Sequence, residues 1–257
     1  MNDLGSGPGN LTPVPAEHVD YVTLSDPAGT SIEAARAVLG RNKVSAKHDF
    51  QVERAEYLRQ AHAYDMVFLG NSRHCTNPDI SLPNIATSLK PGGTFAASLL
   101  CSPDNIRPRA RQAWLDWAYE GEKALDAKAS SPVLGFHVVA TETGYDNIAF
   151  DPALWRNVQS IHLNATRTQG FGRCGEIISR YRRPLCSVQA WEEIVYQKDE
   201  GWYAKADLAG LRDFIKNILL PQTQETIKKF WSILEEEYAD RPVETTFRVD
   251  VVLATRR

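Results

Sequence analysis

The sequence predicts an α/β chain built on one doubly wound sheet, and three observations predict it. The run Asp3-Leu4-Gly5-Ser6-Gly7-Pro8-Gly9-Asn10 has the composition of a glycine-rich turn between a strand and a helix. Behind it, short apolar runs alternate with helix-forming stretches, the pattern of strands joined by crossover helices. One of those runs, Met66-Val67-Phe68-Leu69, is continuously apolar, as a parallel strand covered on both faces must be. In such a sheet, ligands bind at the C-terminal ends of the strands.

The glycine turn comes first because it carries the most chemistry. Gly5, Gly7 and Gly9 let the backbone turn tightly and approach a ligand with no Cβ in the way. Thr12 is placed to cap the next helix, with Pro13 at its first position and Pro15 still in its first turn, where no amide hydrogen is missed. A dinucleotide fingerprint would need Gly or Ala at position 10, where Asn10 stands. That departure counts against a nicotinamide oxidoreductase.

The elements follow in order. Val19 to Ser25 suits a second strand with Asp26 at its end, where a carboxylate meets ligand hydroxyls or caps a helix. Thr30 to Leu39 predicts a helix, with Thr30 and Glu33 at capping-box spacing and Gly40 to end it. His48 to Val52 suits a third strand. Tyr64 to Gly70 holds the fourth, Pro83 to Leu89 a short helix, and Lys90-Pro91-Gly92-Gly93 a turn into a fifth strand from Thr94 to Leu100. Arg107 to Lys128 is helical in composition, with Trp114, Trp117 and Leu125 on an apolar stripe. Leu208 to Leu219 and Thr223 to Tyr238 are amphipathic helix candidates.

Composition narrows the class. At 257 residues the chain can bury one large core. Its net charge of −3 offers no basic footprint for nucleic acid, and no apolar run is long enough to span a membrane. Cys75, Cys101, Cys174 and Cys186 lack metal-site spacing, so no metal is expected, and a reduced cytoplasmic setting is.

Four pieces in sequence order now carry a resemblance: the glycine loop opened by Asp3, Asp26 after the second strand, Tyr64-Asp65 opening the fourth, and Leu89-Lys90-Pro91-Gly92-Gly93. Together they resemble the class I S-adenosylmethionine (SAM) dependent methyltransferases. The resemblance implies a Rossmann-like sheet of order 3-2-1-4-5-7-6 with its seventh strand antiparallel, SAM as cofactor, and a helical lid inserted between sheet strands. It implies that Asp3, Gly5, Gly7, Gly9, Asp26, Arg54, Ala55 and Asn71 hold the cofactor. Asp26 would bind the ribose, Asp3 would orient the loop, Arg54 and Ala55 would lie at the adenine, and Asn71 at the methionine part. Arg54 stands where an Asp is common, and Cys75 where relatives place a Trp beside a His, here His74. In the family a helical segment and the first strand precede the glycine loop. Only Met1 and Asn2 do so here, so a shortened first strand and a cofactor site open on one side are expected.

From Phe150 onward, Phe150 to Val158, Ile177 to Leu185, a helix at Val188 to Tyr196 and a closing strand at Thr245 to Ala254 resemble the trans-aconitate methyltransferase group, which methylates a carboxylate of a small organic acid. The division implied is 1–106 for SAM, 107–175 for a lid and substrate insertion, and 176–257 to complete the sheet, all within one domain. A carboxylate is already ionised at neutral pH, so its methylation needs no base but does need an anion clamp. Arg73 and Arg180 are the candidates for that clamp, and His74 for the catalytic position, as orienting group or base. The partners expected are a small anionic substrate, with neither nucleic acid nor membrane. The alternatives are a methyltransferase for another oxygen or nitrogen acceptor, and a non-catalytic relative.

Overall fold

The computed structural model describes residues 1–42, 44–104, 106–128, 139–140, 143–165, 186–216, 223–239 and 241–257. Among these residues nine strands form one central sheet. The strands are β1 (Asn2–Leu4), β2 (Tyr21–Asp26), β3 (Lys47–Val52), β4 (Tyr64–Gly70), β5 (Leu89–Asp104), β6 (Trp155–Leu163), β7 (Glu193–Gln197), β8 (Tyr203–Ala206) and β9 (Val243–Arg256). The helices are α1 (Pro13–Ala16), α2 (Gly29–Asn42), α3 (Pro78–Ser88), α4 (Pro108–Lys128), α5 (Leu208–Lys216) and α6 (Gln224–Tyr238).

The order across the sheet is β3-β2-β1-β4-β5-β9-β6-β7, with β8 paired to β9. Strands β1 to β5 pair in parallel, and β9 runs antiparallel between β5 and β6. This is the expected doubly wound order, with β9 in the antiparallel place and β7 added at the edge. Strand β1 is only three residues long, as expected, yet it is central. Its Asn2, Asp3 and Leu4 pair with Thr23, Leu24 and Ser25, and all three are buried.

Side-chain alternation along these strands divides the core between two faces. On one face, Val22 and Leu24 of β2 pack under Ala35 and Leu39 of α2. On the other, Val67 and Leu69 of β4 and Phe95 of β5 pack with Leu82 and Ile85 of α3 and with Tyr145, Ile148 and Phe150. A third cluster lies among helices, where Trp114 and Trp117 of α4 meet Phe230 of α6 with ring centroids 6.1 and 5.6 Å apart. Both tryptophans of the inserted helix, and Trp155 in the sheet core, are therefore packing residues.

Several element boundaries differ from the sequence expectation. Helix α2 runs past Gly40 to Asn42, because no left-handed turn is made at that glycine. Helix α3 begins at Pro78, five residues early. Asn77 accepts from the Asp79 amide as its cap, and Pro83 is carried inside the helix. The stretch Val188 to Tyr196 is not a helix. It ends in strand β7, whose β-branched Ile194 and Val195 pair in parallel with Ser160 and Ile161 of β6. Thr12 makes no capping hydrogen bond, since its hydroxyl is turned inward to Asp3. The basic run around Arg180 and the expected strand from Ile177 lie outside the described residues. Among the described residues no helix is long and apolar enough to cross a membrane.

Candidate cofactor and acceptor site

The glycine loop leaves β1 at the C-terminal edge of the sheet, and the chain itself ties it down. Ser25 O accepts from the amides of Gly5 at 2.7 Å and Ser6 at 3.0 Å. The Gly7 amide donates to Asp26 Oδ2 at 3.0 Å, and the Ala28 amide to Asp26 Oδ1 at 2.8 Å. Asp26 thus joins the loop to the end of β2 and is 8% exposed. Gly5, Gly7 and Gly9 have φ of 72°, 55° and 76°, the region glycine enters without steric cost. A Cβ on Gly5 would stand 2.7 Å from Ser72 Cβ, whereas one on Gly7 would meet no atom within 4 Å. The loop is therefore pressed against the end of β4 at Gly5 and open at Gly7.

Asp3 lies under this loop, 2% exposed. Its Oδ2 accepts from Thr12 Oγ1 at 2.5 Å, which fastens the far end of the loop to its root. Burial pushes its carboxyl up to about 6, against the lowering effect of the Thr12 hydrogen bond, and the charge of Asp26 adds to the rise. Asp3 is a buried tether rather than a frayed terminus.

Around the loop, the ends of β2, β3 and β4 give the rest of the edge. Val52, paired with Asp26 in the sheet, is 66% exposed, and Leu11, whose Cδ1 would meet a Cβ on Gly70 at 2.7 Å, is 50% exposed. Two bare apolar side chains thus flank the acid at this edge. Arg54 opens the short 3-10 turn Ala55–Tyr57, with its Nε 3.7 Å from Glu56 Oε2 and its side chain mostly in solvent, while Ala55 is buried. Asn71 follows β4 at φ 54°. Its amide donates to Ser98 O at 2.8 Å, and its Oδ1 accepts from the Leu100 amide at 3.3 Å. The side chain of Asn71 therefore braces β4 against β5.

Just beyond, Arg73, His74 and Cys75 form a second 3-10 turn. Arg73 is 1% exposed; its Nη1 donates to Thr76 Oγ1 at 3.4 Å, and its guanidinium lies 6.0 Å from the Tyr145 ring centroid. His74 Nδ1 is 3.4 Å from the Tyr145 hydroxyl, which donates to Ser98 O at 3.3 Å. The hydroxyl has one hydrogen and a carbonyl only accepts, so the Nδ1 nitrogen must be the donor to Tyr145. In the neutral ring, Nε2 then carries the lone pair; this tautomer is assigned from the hydrogen bonds. Burial, then the charge of Asp26, pushes the Cys75 thiol up to about 11, so it remains protonated.

One group went unforeseen. Asp250 of β9 is fully buried, and His162 Nδ1 lies 2.6 Å from its Oδ1. Arg248 Nη2 is 2.9 Å from Asp250 Oδ2, and Cys101 Sγ donates to the same oxygen at 3.0 Å. Asp146 Oδ1 stands 3.2 Å from His162 Nε2, at ion-pair distance but poorly aligned for a hydrogen bond. Arg248 and Asp250, two apart on a buried strand, share a face. That was the available signal: a cation and an anion at alternate positions in an otherwise apolar run. Among the described residues no group of His, Cys, Asp or Glu is arranged to hold a metal ion.

Comparison with known proteins agrees with this geometry. Residues 2–93 match the family described as a methyltransferase domain. Over its whole length the chain is 27% identical to methyltransferase AacuQ of Aspergillus aculeatus, spanning 82% of that protein. It is 26% identical to methyltransferase gedG of Aspergillus terreus, spanning 81%. A solved structure from Anaeromyxobacter dehalogenans, a candidate type II methyltransferase, is 14% identical; it superposes with a TM-score of 0.54 over 98% of this chain and 87% of that one, a likeness of fold. None of the three is named for trans-aconitate. The chain is thus similar in its glycine-loop segment, residues 2–93, to a methyltransferase domain and over its length to fungal methyltransferases, and SAM is the cofactor expected at the loop.

Proposed function

We propose that the protein transfers a methyl group from SAM to an oxygen of a small acceptor held beside His74. SAM supplies the reactive methyl on a sulfonium, so the protein has to align, desolvate and, where needed, remove a proton. Gly5, Gly7 and Gly9 give the close approach, and the second lone pairs of Asp26 take the ribose hydroxyls. Asp3 sets the loop through Thr12, Ala55 offers its amide and Arg54 its stem at the adenine, and Asn71 marks the methionine end.

The observation that carries the acceptor side is the His74–Tyr145 pair at the end of β4. For a hydroxyl acceptor, Nε2 of His74 is the nitrogen able to take the proton. For a carboxylate of a small organic acid, the acceptor the sequence suggests, His74 would orient the anion, with Arg73 and Arg180 as clamp. Arg73 is wholly buried against Thr76 and Tyr145, so an acid would depend chiefly on His74 and on Arg180. The hydroxyl acceptor is therefore favoured.

The experiment is methyl transfer from labelled SAM to two panels, small phenols and alcohols against small carboxylic acids, with His74→Ala and His74→Gln. Transfer to hydroxyl acceptors, falling roughly 10²-fold or more in both variants, is expected for a lost base. Transfer to acids alone, with little loss in His74→Gln, would restore the carboxylate reading. Transfer unchanged in both variants would remove His74 from the reaction.

A further inference from the structure

The cluster around Asp250 lies away from the glycine loop, yet its register places it at the reaction edge. Leu99 pairs with Asp250, and its neighbour Ser98 is the residue whose carbonyl accepts from Tyr145. The segment that carries Tyr145 rests directly on the Asp250 carboxylate. A Cβ on Gly144 would stand 2.3 Å from Asp250 Oδ2 and 2.8 Å from Arg248 Nη2, so only a glycine backbone fits there. Gly144 has φ of 60°, and Tyr145 follows at φ 75°, a costly conformation for a bulky side chain. Such strain persists only where the surroundings over-determine it. Here they do. Asp250 seats Gly144 from below, Asp146 reaches His162, and the Tyr145 side chain is 1% exposed, with its hydroxyl on Ser98 and His74.

We infer that Asp250, held by Arg248 and His162, is a positioning residue that seats Gly144 and thereby aims the Tyr145 hydroxyl at His74. The inference rests on the acceptor-side reading above only in naming His74 the reacting edge. Cluster and edge form one connected arrangement: Arg248 and His162 on Asp250, Asp250 under Gly144, Tyr145 on His74.

Among the described residues, the titratable groups facing His162 are Asp250 of β9, Asp146 of the Tyr145 segment, and Tyr196 of β7, stacked on its ring at 4.9 Å; Arg248, and Cys101 of β5, stand on Asp250, and Glu192 feels the charge of Asp146. Burial alone would push the imidazole down. The hydrogen bond to Asp250 and the charges of Asp250 and Asp146 outweigh it and raise it to about 9. Burial and the charge of Asp146 likewise raise Glu192 to about 7. The clip is therefore cationic at His162 through neutral pH and loosens above it.

The test is imidazole NMR of the full chain with saturating SAM across pH, with His74 assigned by His74→Gln. In the wild type, His74 is expected to show a second inflection at the alkaline pH where His162 loses its proton. That inflection should vanish in His162→Gln and in Tyr145→Phe, the latter leaving the His162 titration in place. A merely structural cluster would lower the thermal midpoint in His162→Gln with no change at His74, and that result overturns the proposal. So does a His74 inflection that survives in Tyr145→Phe. If the inflections behave as expected while His74→Ala leaves methyl transfer unchanged, the acceptor-side reading fails and the positioning role stands.

Discussion

At the scale of single residues, the site shows tension between stability and function. Asp3 is fully enclosed, and its carboxyl is raised from the ordinary range to about 6. A raised folded-state value means that the native state binds more protons than the unfolded one between the two values. Stability is thus highest below the unfolded value, near pH 4, and falls as pH rises through about 6. Asp3→Asn keeps an acceptor for Thr12 and removes the buried charge. It is expected to raise the thermal midpoint at pH 7 to 8, with the gain fading by pH 4, and to weaken SAM binding. Thermal scans at several pH values check this; an equal or lower midpoint at pH 7 would contradict it. Gly5→Ala makes the opposite case, because a Cβ there meets Ser72 Cβ at 2.7 Å at a φ of 72°. A loss of about 1–3 kcal/mol in denaturant unfolding is expected; an unchanged midpoint would show that the loop yields. Asp3, Asp26 and the glycines were legible because close backbone approach restricts residue type. The Thr12 hydroxyl was not, because a cap and a tether need the same side chain, and only the fold decides which amide or carboxylate is within reach.

At the scale of elements, the strands were easier to read than the helices that connect them. Strands β4 and β9 carry apolar residues that the sheet must bury, so register and burial follow from composition. The sequence suggests a helix over Val188 to Tyr196, whereas the pairing of β7 with β6 is a long-range choice invisible locally. A proline inside a helix normally marks a boundary, which hides the true start of α3, where Asn77 and Pro78 form the stronger cap. Helix α4 was found, and its tryptophans turn to α6 as packing residues. Phe230→Ala removes the ring that both tryptophans touch and is expected to cost about 3–5 kcal/mol. SAM affinity should stay within about twofold, since distant sites are usually energetically independent. Calorimetry beside denaturant unfolding separates the two; a collapse of SAM binding in a folded variant would tie the helical cluster to the cofactor. Strand β6 offers a pH test. His162 is raised to about 9, so the stability it contributes is fully present below about 6.5 and lost as pH rises through about 9. His162→Gln is expected to flatten the alkaline limb of the stability profile between those values; an unchanged limb would assign that loss elsewhere.

At the scale of the whole molecule, one sheet edge gathers the described residues proposed to hold SAM and its acceptor. The parallel strands end together, so the loop after β1, the acid after β2, the turn after β3 and the histidine after β4 converge without long-range instruction beyond strand order. That convergence was legible because topology fixes it. The Asp250 cluster was not, since its members come from β5, β6, β9 and the Tyr145 segment, and only the antiparallel insertion of β9 between β5 and β6 brings them together. The most direct measurement is titration calorimetry of SAM into the wild-type chain and Asp26→Ala. Saturable one-to-one binding is predicted for the wild type. A loss of about 1.5–3 kcal/mol, or roughly ten- to a hundredfold, is predicted for the variant, as for a hydrogen bond to a charged group. Equal binding by both chains, or none by the wild type, would contradict the account.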